Sequence, residues 1–101
     1  MTLGLVFSPE AERQLVEIQA YVADHSSVDR AHQYVERILV QCERLTDFPL
    51  LGSARDDIRP GLRTLGFERR AVIAFVPDEQ RVAIVGIYYG GRQWEPSIAA
   101  H

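Results

Sequence analysis

Two uninterrupted apolar runs, Ala71–Val76 and Val82–Tyr89, constrain this chain more than any other feature. Each is far shorter than the ~20 residues a membrane-crossing helix requires. Neither shows the polar alternation of a strand with one wet face, so both read as strands buried on two sides in the middle of a sheet. Only Pro77–Arg81 separates them, and Pro77-Asp78-Glu79-Gln80 form a tight turn, which makes the pair antiparallel. With flanking residues included, the strands are Arg70–Val76 and Arg81–Tyr89. A third strand-like stretch, Leu62–Phe67, precedes them by a short connection, so the three form a meander. Gly90-Gly91 ends the last strand, and Arg92–His101 is a tail carrying the single tryptophan, Trp94.

A sheet of this kind needs a cover, and the first half of the chain supplies it with a different periodicity. Leu3, Leu5 and Phe7 alternate with smaller residues over Thr2–Phe7, which predicts one short strand. Ser8-Pro9-Glu10 then opens a helix. The serine accepts from orphan backbone N–H groups, the proline presets the first helical φ, and Glu10 and Glu12 face the positive end of the helix dipole. Ala11, Leu15, Ile18 and Val22 form its apolar stripe, and it ends near Asp24-His25. The Ser26-to-Asp29 spacing signals a second helix with Ala31, Tyr34, Val35, Ile38, Cys42 and Leu45 on its apolar face. Asp47-Phe48-Pro49 stops it, because a residue before proline avoids helical dihedrals. The short gap makes the two helices an antiparallel hairpin. Leu50–Gly61 reads as loop.

The expected architecture is therefore α+β, in the order β-α-α-β-β-β, with a helical hairpin on one face of a small, twisted, mainly antiparallel sheet. The other face is expected to be freer. The chain of 101 residues fits one domain, residues 1–101. How the first strand joins the sheet stays open. The N-terminus has neither a basic region nor a long apolar stretch, so no signal peptide is expected and the cytoplasm is the expected location. One thiol, Cys42, allows no intramolecular disulfide, and its apolar helical neighbours make it a small buried hydrophobe.

Charge narrows the chemistry. Net charge is −3, which argues against a general nucleic-acid binder. Residues 1–50 hold 4 arginines against 8 acidic residues, and residues 51–101 hold 7 against 6. Every cation is arginine, with no lysine in the chain. Arginine grips phosphate or carboxylate bidentately, yet its pKa above ~12 makes it a poor proton donor or acceptor at neutral pH. Asp56-Asp57 has no third ligand nearby in sequence, so neither a metal nor a cofactor is expected.

Four stretches, in this order and spacing, resemble the RelE/ParE toxin superfamily, and its ParE branch most. They are Phe7-Ser8-Pro9-Glu10-Ala11-Glu12; Glu43-Arg44-Leu45 followed by Phe48-Pro49 and Gly52; Asp57-x-Arg59-Pro60-Gly61-Leu62-Arg63, continuing to Arg69 and Val72-Ile73-x-Phe75; and Val82-x-Ile84-Val85-x-Ile87 leading to Gly90-x-Arg92. The resemblance runs from about Leu5 to Trp94 and implies the β-α-α-β-β-β fold. It also implies a partner antitoxin whose disordered C-terminal segment folds on the toxin and whose N-terminal domain binds operator DNA. The toxin would then meet DNA only indirectly.

The branches differ in target. RelE-like members cut mRNA on the ribosome, and ParE-like members poison DNA gyrase. Cutting RNA requires a base, an acid and cations around the phosphorane. Many relatives read His-Gly-x-Arg after the last strand, whereas this chain reads Tyr89-Gly90-Gly91-Arg92. His25 and His32 lie on the hairpin and His101 is terminal. A nuclease built here would rest on Arg69, Tyr89 and Arg92, with Glu68 as base. A gyrase inhibitor needs a binding surface instead, and the sequence favours that reading. Its expected target-binding residues are Arg63, Arg69, Arg70, Tyr89, Arg92 and Trp94. The arginines could equally be a solvated sheet edge. Apolar residues beyond a single stripe (Val16, Ala20, Tyr21, Leu39, Val40) suggest a groove for an antitoxin helix, with Tyr21, Leu39, Arg63 and Arg70 as expected antitoxin contacts. An inactive antitoxin-binding relative is the third possibility.

Overall fold

The fold is known from a computed structural model that describes residues 3–90. Seven elements follow one another: β1 (Gly4–Phe7), α1 (Pro9–His25), α2 (Val28–Asp47), β2 (Ser53–Ala54), β3 (Arg63–Phe67), β4 (Ala71–Pro77) and β5 (Arg81–Tyr89). The five strands form one sheet in the order β1-β5-β4-β3-β2. The α+β fold and the antiparallel β3-β4-β5 meander are as the sequence implies. β4 and β5 take interior places, as their apolar runs require.

One feature left open by the sequence is settled, and two depart from its reading. β1 pairs with β5 in parallel, Gly4 opposite Arg81 through Phe7 opposite Ile84, so the sheet is mixed. The loop expected at Leu50–Gly61 contains β2, which pairs with the start of β3. The second helix starts one residue later than the Ser26-to-Asp29 signal implies. Ser27, not Ser26, caps α2 by accepting from the Arg30 amide at 3.1 Å, while Ser26 serves as the C-cap of α1. At the start of α1 the sequence reading holds: Ser8 Oγ accepts from the Ala11 amide at 3.0 Å, with Pro9 behind it.

The main core lies between the hairpin and the sheet. Ile18, Tyr34, Ile38, Cys42 and Leu45 pack on Phe67, Ile73, Phe75, Val82, Ile84 and Ile87. Cys42 is fully buried, and burial pushes its thiol pKa up to about 12, which leaves it inert as a nucleophile. The opposite sheet face is less free than expected. Leu62, Ala74 and Tyr88 form a second small cluster with Ile58, Val76 and Val85.

A β-bulge explains how one strand serves both clusters. Along β4–β5, Ala74 faces Gly86 but Phe75 faces Ile84, leaving Val85 as the extra residue on β5. An extra residue flips every later side chain to the other face. Val82 and Ile84 point at the helices before the bulge, and Ile87 and Tyr89 do so after it. α1 satisfies backbone groups around the bulge. Ser8 N–H donates to the Ile84 carbonyl at 2.9 Å, Ser8 Oγ to the Val85 carbonyl at 3.2 Å, and the buried Gln14 Oε1 accepts from Ile87 N–H at 2.7 Å.

Gly52 gives a sharp test of the β2–β3 junction. Its φ is +77°, and a Cβ there would sit 2.1 Å from the Thr64 carbonyl oxygen. Gly52→Ala is expected to cost more than the ~1–2 kcal/mol of a left-handed non-glycine residue, because the clash falls on backbone that cannot rotate away. Amide exchange should accelerate at Ser53, Ala54 and Thr64. Unchanged protection at all three would show that the junction tolerates a side chain.

Candidate functional site

The β3–β4 turn holds the only non-glycine residues with positive φ among the described residues. Glu68 (φ 49°) and Arg69 (φ 62°) are consecutive left-handed residues without being glycine, and the Arg70 amide closes the turn on the Phe67 carbonyl at 3.1 Å. Such strain persists only where the surroundings hold it. Part of that hold comes from α2. Arg37 donates to both Glu68 carboxylate oxygens, at 2.8 and 3.0 Å. The hydrogen bond from Arg37 keeps the Glu68 carboxyl below its usual range and, in return, raises Arg37. Glu68 is therefore fixed as an anion, a poor choice for the base considered above.

Just past this turn, Arg70 meets the end of β5. Ala71 pairs with Tyr89, and the Gly90 amide donates to the Arg70 carbonyl at 2.9 Å. α2 faces them with Arg30, Gln33, Tyr34 and Arg37, and the end of α1 contributes Val22 and Ser26. Together with Glu68 and Tyr89 these side chains line a cleft of about 340 Å³. One wall is aromatic. The Tyr34 ring lies 5.6 Å from Tyr89 and 5.5 Å from Phe67, both edge-on, and Tyr21 meets Tyr89 edge-on at 5.5 Å. Arg37 stands 5.4 Å from the Tyr34 ring centroid, within cation–π range.

Among the described residues, the cleft carries three guanidinium groups against one carboxylate. Arg37 is committed to Glu68, while the guanidinium groups of Arg30 and Arg70 have no partner among the described residues. Tyr34 is only 7% exposed, and its hydroxyl has no hydrogen-bond partner among the described residues. Leaving a buried hydroxyl unsatisfied costs about 1–3 kcal/mol. Burial first, then the neighbouring Tyr89 and Glu68, raise its pKa to about 12, while Arg37 and Arg70 pull the other way. It stays protonated and available as a donor.

The residues singled out from sequence are not all in one place. Arg70 and Tyr89 line the cleft, and Arg69 sits exposed at the turn beside it. Arg63, at the other end of β3, donates to the carbonyls of Leu50 (2.6 Å), Leu51 (3.2 Å) and Gly52 (3.3 Å). Its guanidinium thus organises the chain leading into β2. Tyr21 is 49% exposed and stacks on His25 at 4.0 Å; Leu39 is half-buried on α2. Arg92 and Trp94 lie outside the described residues. Arg30, Tyr34 and Arg37 were missed as site residues. Their spacing of four and three places all three on neighbouring helical positions, a signal present in the sequence that Tyr34's apolar company concealed.

A broader groove of about 670 Å³ continues along α2 from the Arg37–Glu68 bridge, past Gln33, Val40, Gln41 and Arg44 to Phe67. Val40 is 63% exposed there. Among the described residues, no cluster of three or more histidine, cysteine or acidic side chains is placed to hold a metal. None of their helices is long and apolar enough to cross a membrane.

Comparison with known proteins places this arrangement among small bacterial toxins. A family profile described as "ParE toxin of type II toxin-antitoxin system, parDE" matches residues 5–94. The chain belongs to the ParE toxin family of type II toxin–antitoxin systems. Among its relatives is Toxin ParE1 of Mycobacterium tuberculosis, 30% identical over 89 residues, covering 88% of this chain and 91% of that protein in both strain CDC 1551 / Oshkosh and strain H37Rv. A solved structure titled "Chromosomal ParDE TA system from P. aeruginosa" shares the fold, with a TM-score of 0.76 at 23% identity over 88% of this chain and 97% of that one.

Proposed function

We propose that this toxin acts by binding DNA gyrase and blocking replication, and that a cognate antitoxin neutralises it by folding onto its surface. The observation that carries the gyrase reading is the make-up of the cleft. It holds arginines and tyrosines, with no histidine among the described side chains that line it. Its carboxylate is tied to Arg37, and Tyr34 is moved further from neutrality. Such a set can hold an anion but is poorly matched to proton transfer near pH 7. His25 is held on its own helix, with Nδ1 2.9 Å from the Tyr21 carbonyl oxygen. Target contacts are assigned to Arg69 at the strained turn and to Tyr89, with Arg92 and Trp94 continuing the same end of the chain. Tyr21, Leu39 and the groove along α2 are assigned to the antitoxin.

Two paired assays test the target. Purified toxin should abolish gyrase supercoiling or trap cleaved DNA, trigger an SOS response in cells, and leave mRNA intact on translating ribosomes. The hydroxyl of Tyr89 sharpens the choice. Tyr89→Phe should leave gyrase inhibition within a few-fold of wild type, whereas loss of a general acid would lower an RNA-cleaving rate by ~10²–10⁴. Unimpaired gyrase together with mRNA cuts that vanish in Tyr89→Phe would move the protein to the ribosome-dependent branch.

A further inference from the structure

The cleft between α2 and the β3–β4 turn has a feature that inhibition of gyrase does not require. Among the described residues, two of its arginines are uncommitted and a buried phenol beside them lacks an acceptor. All three groups are donors, and an ionised carboxylate is acceptor-only, with about four lone-pair sites. We infer that this cleft is a carboxylate clamp: one aspartate or glutamate of the antitoxin inserts between Arg30 and Arg70 and accepts a third hydrogen bond from Tyr34. This rests on the reading that an antitoxin folds onto the toxin, and it adds the residue type that locks the two together.

Charge separates a single carboxylate from a nucleic-acid backbone. The chain carries −3 overall, with 8 acidic residues against 4 arginines in residues 1–50, the half that supplies α1 and α2. A polyanion presents phosphates in series and would meet this field along its length. A lone acidic side chain meets only the local excess of three guanidinium groups over Glu68. The surroundings suit a peptide as well. Tyr21 (49% exposed), Val28 (61%) and Val40 (63%) offer apolar contacts on the same hairpin, so an amphipathic segment could place apolar residues on the helices and one acid in the cleft. Glu68, already paired with Arg37, keeps the third guanidinium from competing and discourages a second anion.

The test uses the intact toxin and the antitoxin encoded beside it, with affinity measured by calorimetry. Arg30→Gln and Arg70→Gln should each weaken the complex at least tenfold, Tyr34→Phe a few-fold, and Arg59→Gln not at all. Changing the antitoxin's acidic residues one at a time to their amides should find a single position as costly as Arg70→Gln and non-additive with it. Circular dichroism establishes that each variant is folded, and the exposure of Arg30 and Arg70 makes folding the expected result. Tight wild-type binding with Arg30→Gln and Arg70→Gln within twofold would overturn the clamp and leave the antitoxin reading intact. Displacement of a 5′-phosphorylated single-stranded oligonucleotide as the only property lost in Arg70→Gln would also overturn it, in favour of a phosphate site. Failure of the antitoxin to bind wild-type toxin would remove the reading beneath it and the clamp together.

Discussion

Phe75→Ala should lower the unfolding free energy by about 3–5 kcal/mol, the usual cost of emptying a large buried aromatic site. Phe75 is fully buried and is the largest of the fully buried side chains among the described residues. It sits near the middle of β4, opposite Arg63 on one side and Ile84 on the other, where strands on both flanks limit how far the backbone can close a cavity. It also lies at the bulge, where the β4–β5 register shifts between Ala74 and Phe75. A domain of this size has roughly 5–15 kcal/mol of total stability, so the variant would be close to unfolding at growth temperature. At about 4–8 °C per kcal/mol, Tm should fall by at least ~12 °C. Phe75→Leu, which keeps most of the volume, should lose much less. Denaturant titration measures both; a loss under ~1 kcal/mol for Phe75→Ala would mean that the sheet can collapse into the space.

The second large effect is expected at Gln14, a polar residue on a buried face. It is 6% exposed, and its Oε1 accepts from the Ile87 amide at 2.7 Å. β1 stops at Phe7, opposite Ile84, so beyond that point β5 has no strand beside it on that edge among the described residues. Gln14 supplies the acceptor that a sixth strand would otherwise provide. Gln14→Leu keeps the volume and leaves the Ile87 N–H buried without a partner, which should cost about 1–3 kcal/mol. The effect should be localised as well as global: Ile87 amide exchange should accelerate more than that of Ile73 across the ladder. Tyr89, two residues further on, should shift in an NMR spectrum, because its place in the cleft depends on the path of β5 after the bulge. Equal exchange at Ile87 in both proteins would show that another group, or water, satisfies the amide.

Much of the fold was legible because its elements obey local rules. Ser8-Pro9 starts α1 and Asp47-Phe48-Pro49 closes α2 whatever lies around them, and the capping and proline chemistry is short-range. The apolar runs around Pro77–Gln80 specify two neighbouring buried strands, since no other arrangement hides both faces. Ser26 and Ser27 show the limit of such rules. Both are capping residues, and the choice between them depends on where α1 ends. β2 escaped notice because a two-residue strand has no period to detect.

The candidate site was only half legible. Arg70 and Tyr89 were visible as a pair of polar groups at strand ends, and the meander brings them together. Arg30, Tyr34 and Arg37 come from a helix more than thirty positions away in the chain, and only packing of the hairpin on the sheet places them opposite. Arg63 illustrates the reverse case. In sequence it belongs with Arg69 and Arg70 as one basic group, yet three carbonyls of the preceding loop take up its guanidinium.

The sequence by itself therefore determined the order and type of the main elements, the faces that must be buried, and the resemblance that identifies the family. Those properties follow from contacts between residues close in the chain and from the need to hide apolar surface. The tertiary structure alone decided the parallel seating of β1 on β5, the bulge at Val85, and which arginines remain uncommitted among the described residues. Each of these depends on which distant backbone or side-chain group satisfies a hydrogen bond first, and no local pattern encodes that competition.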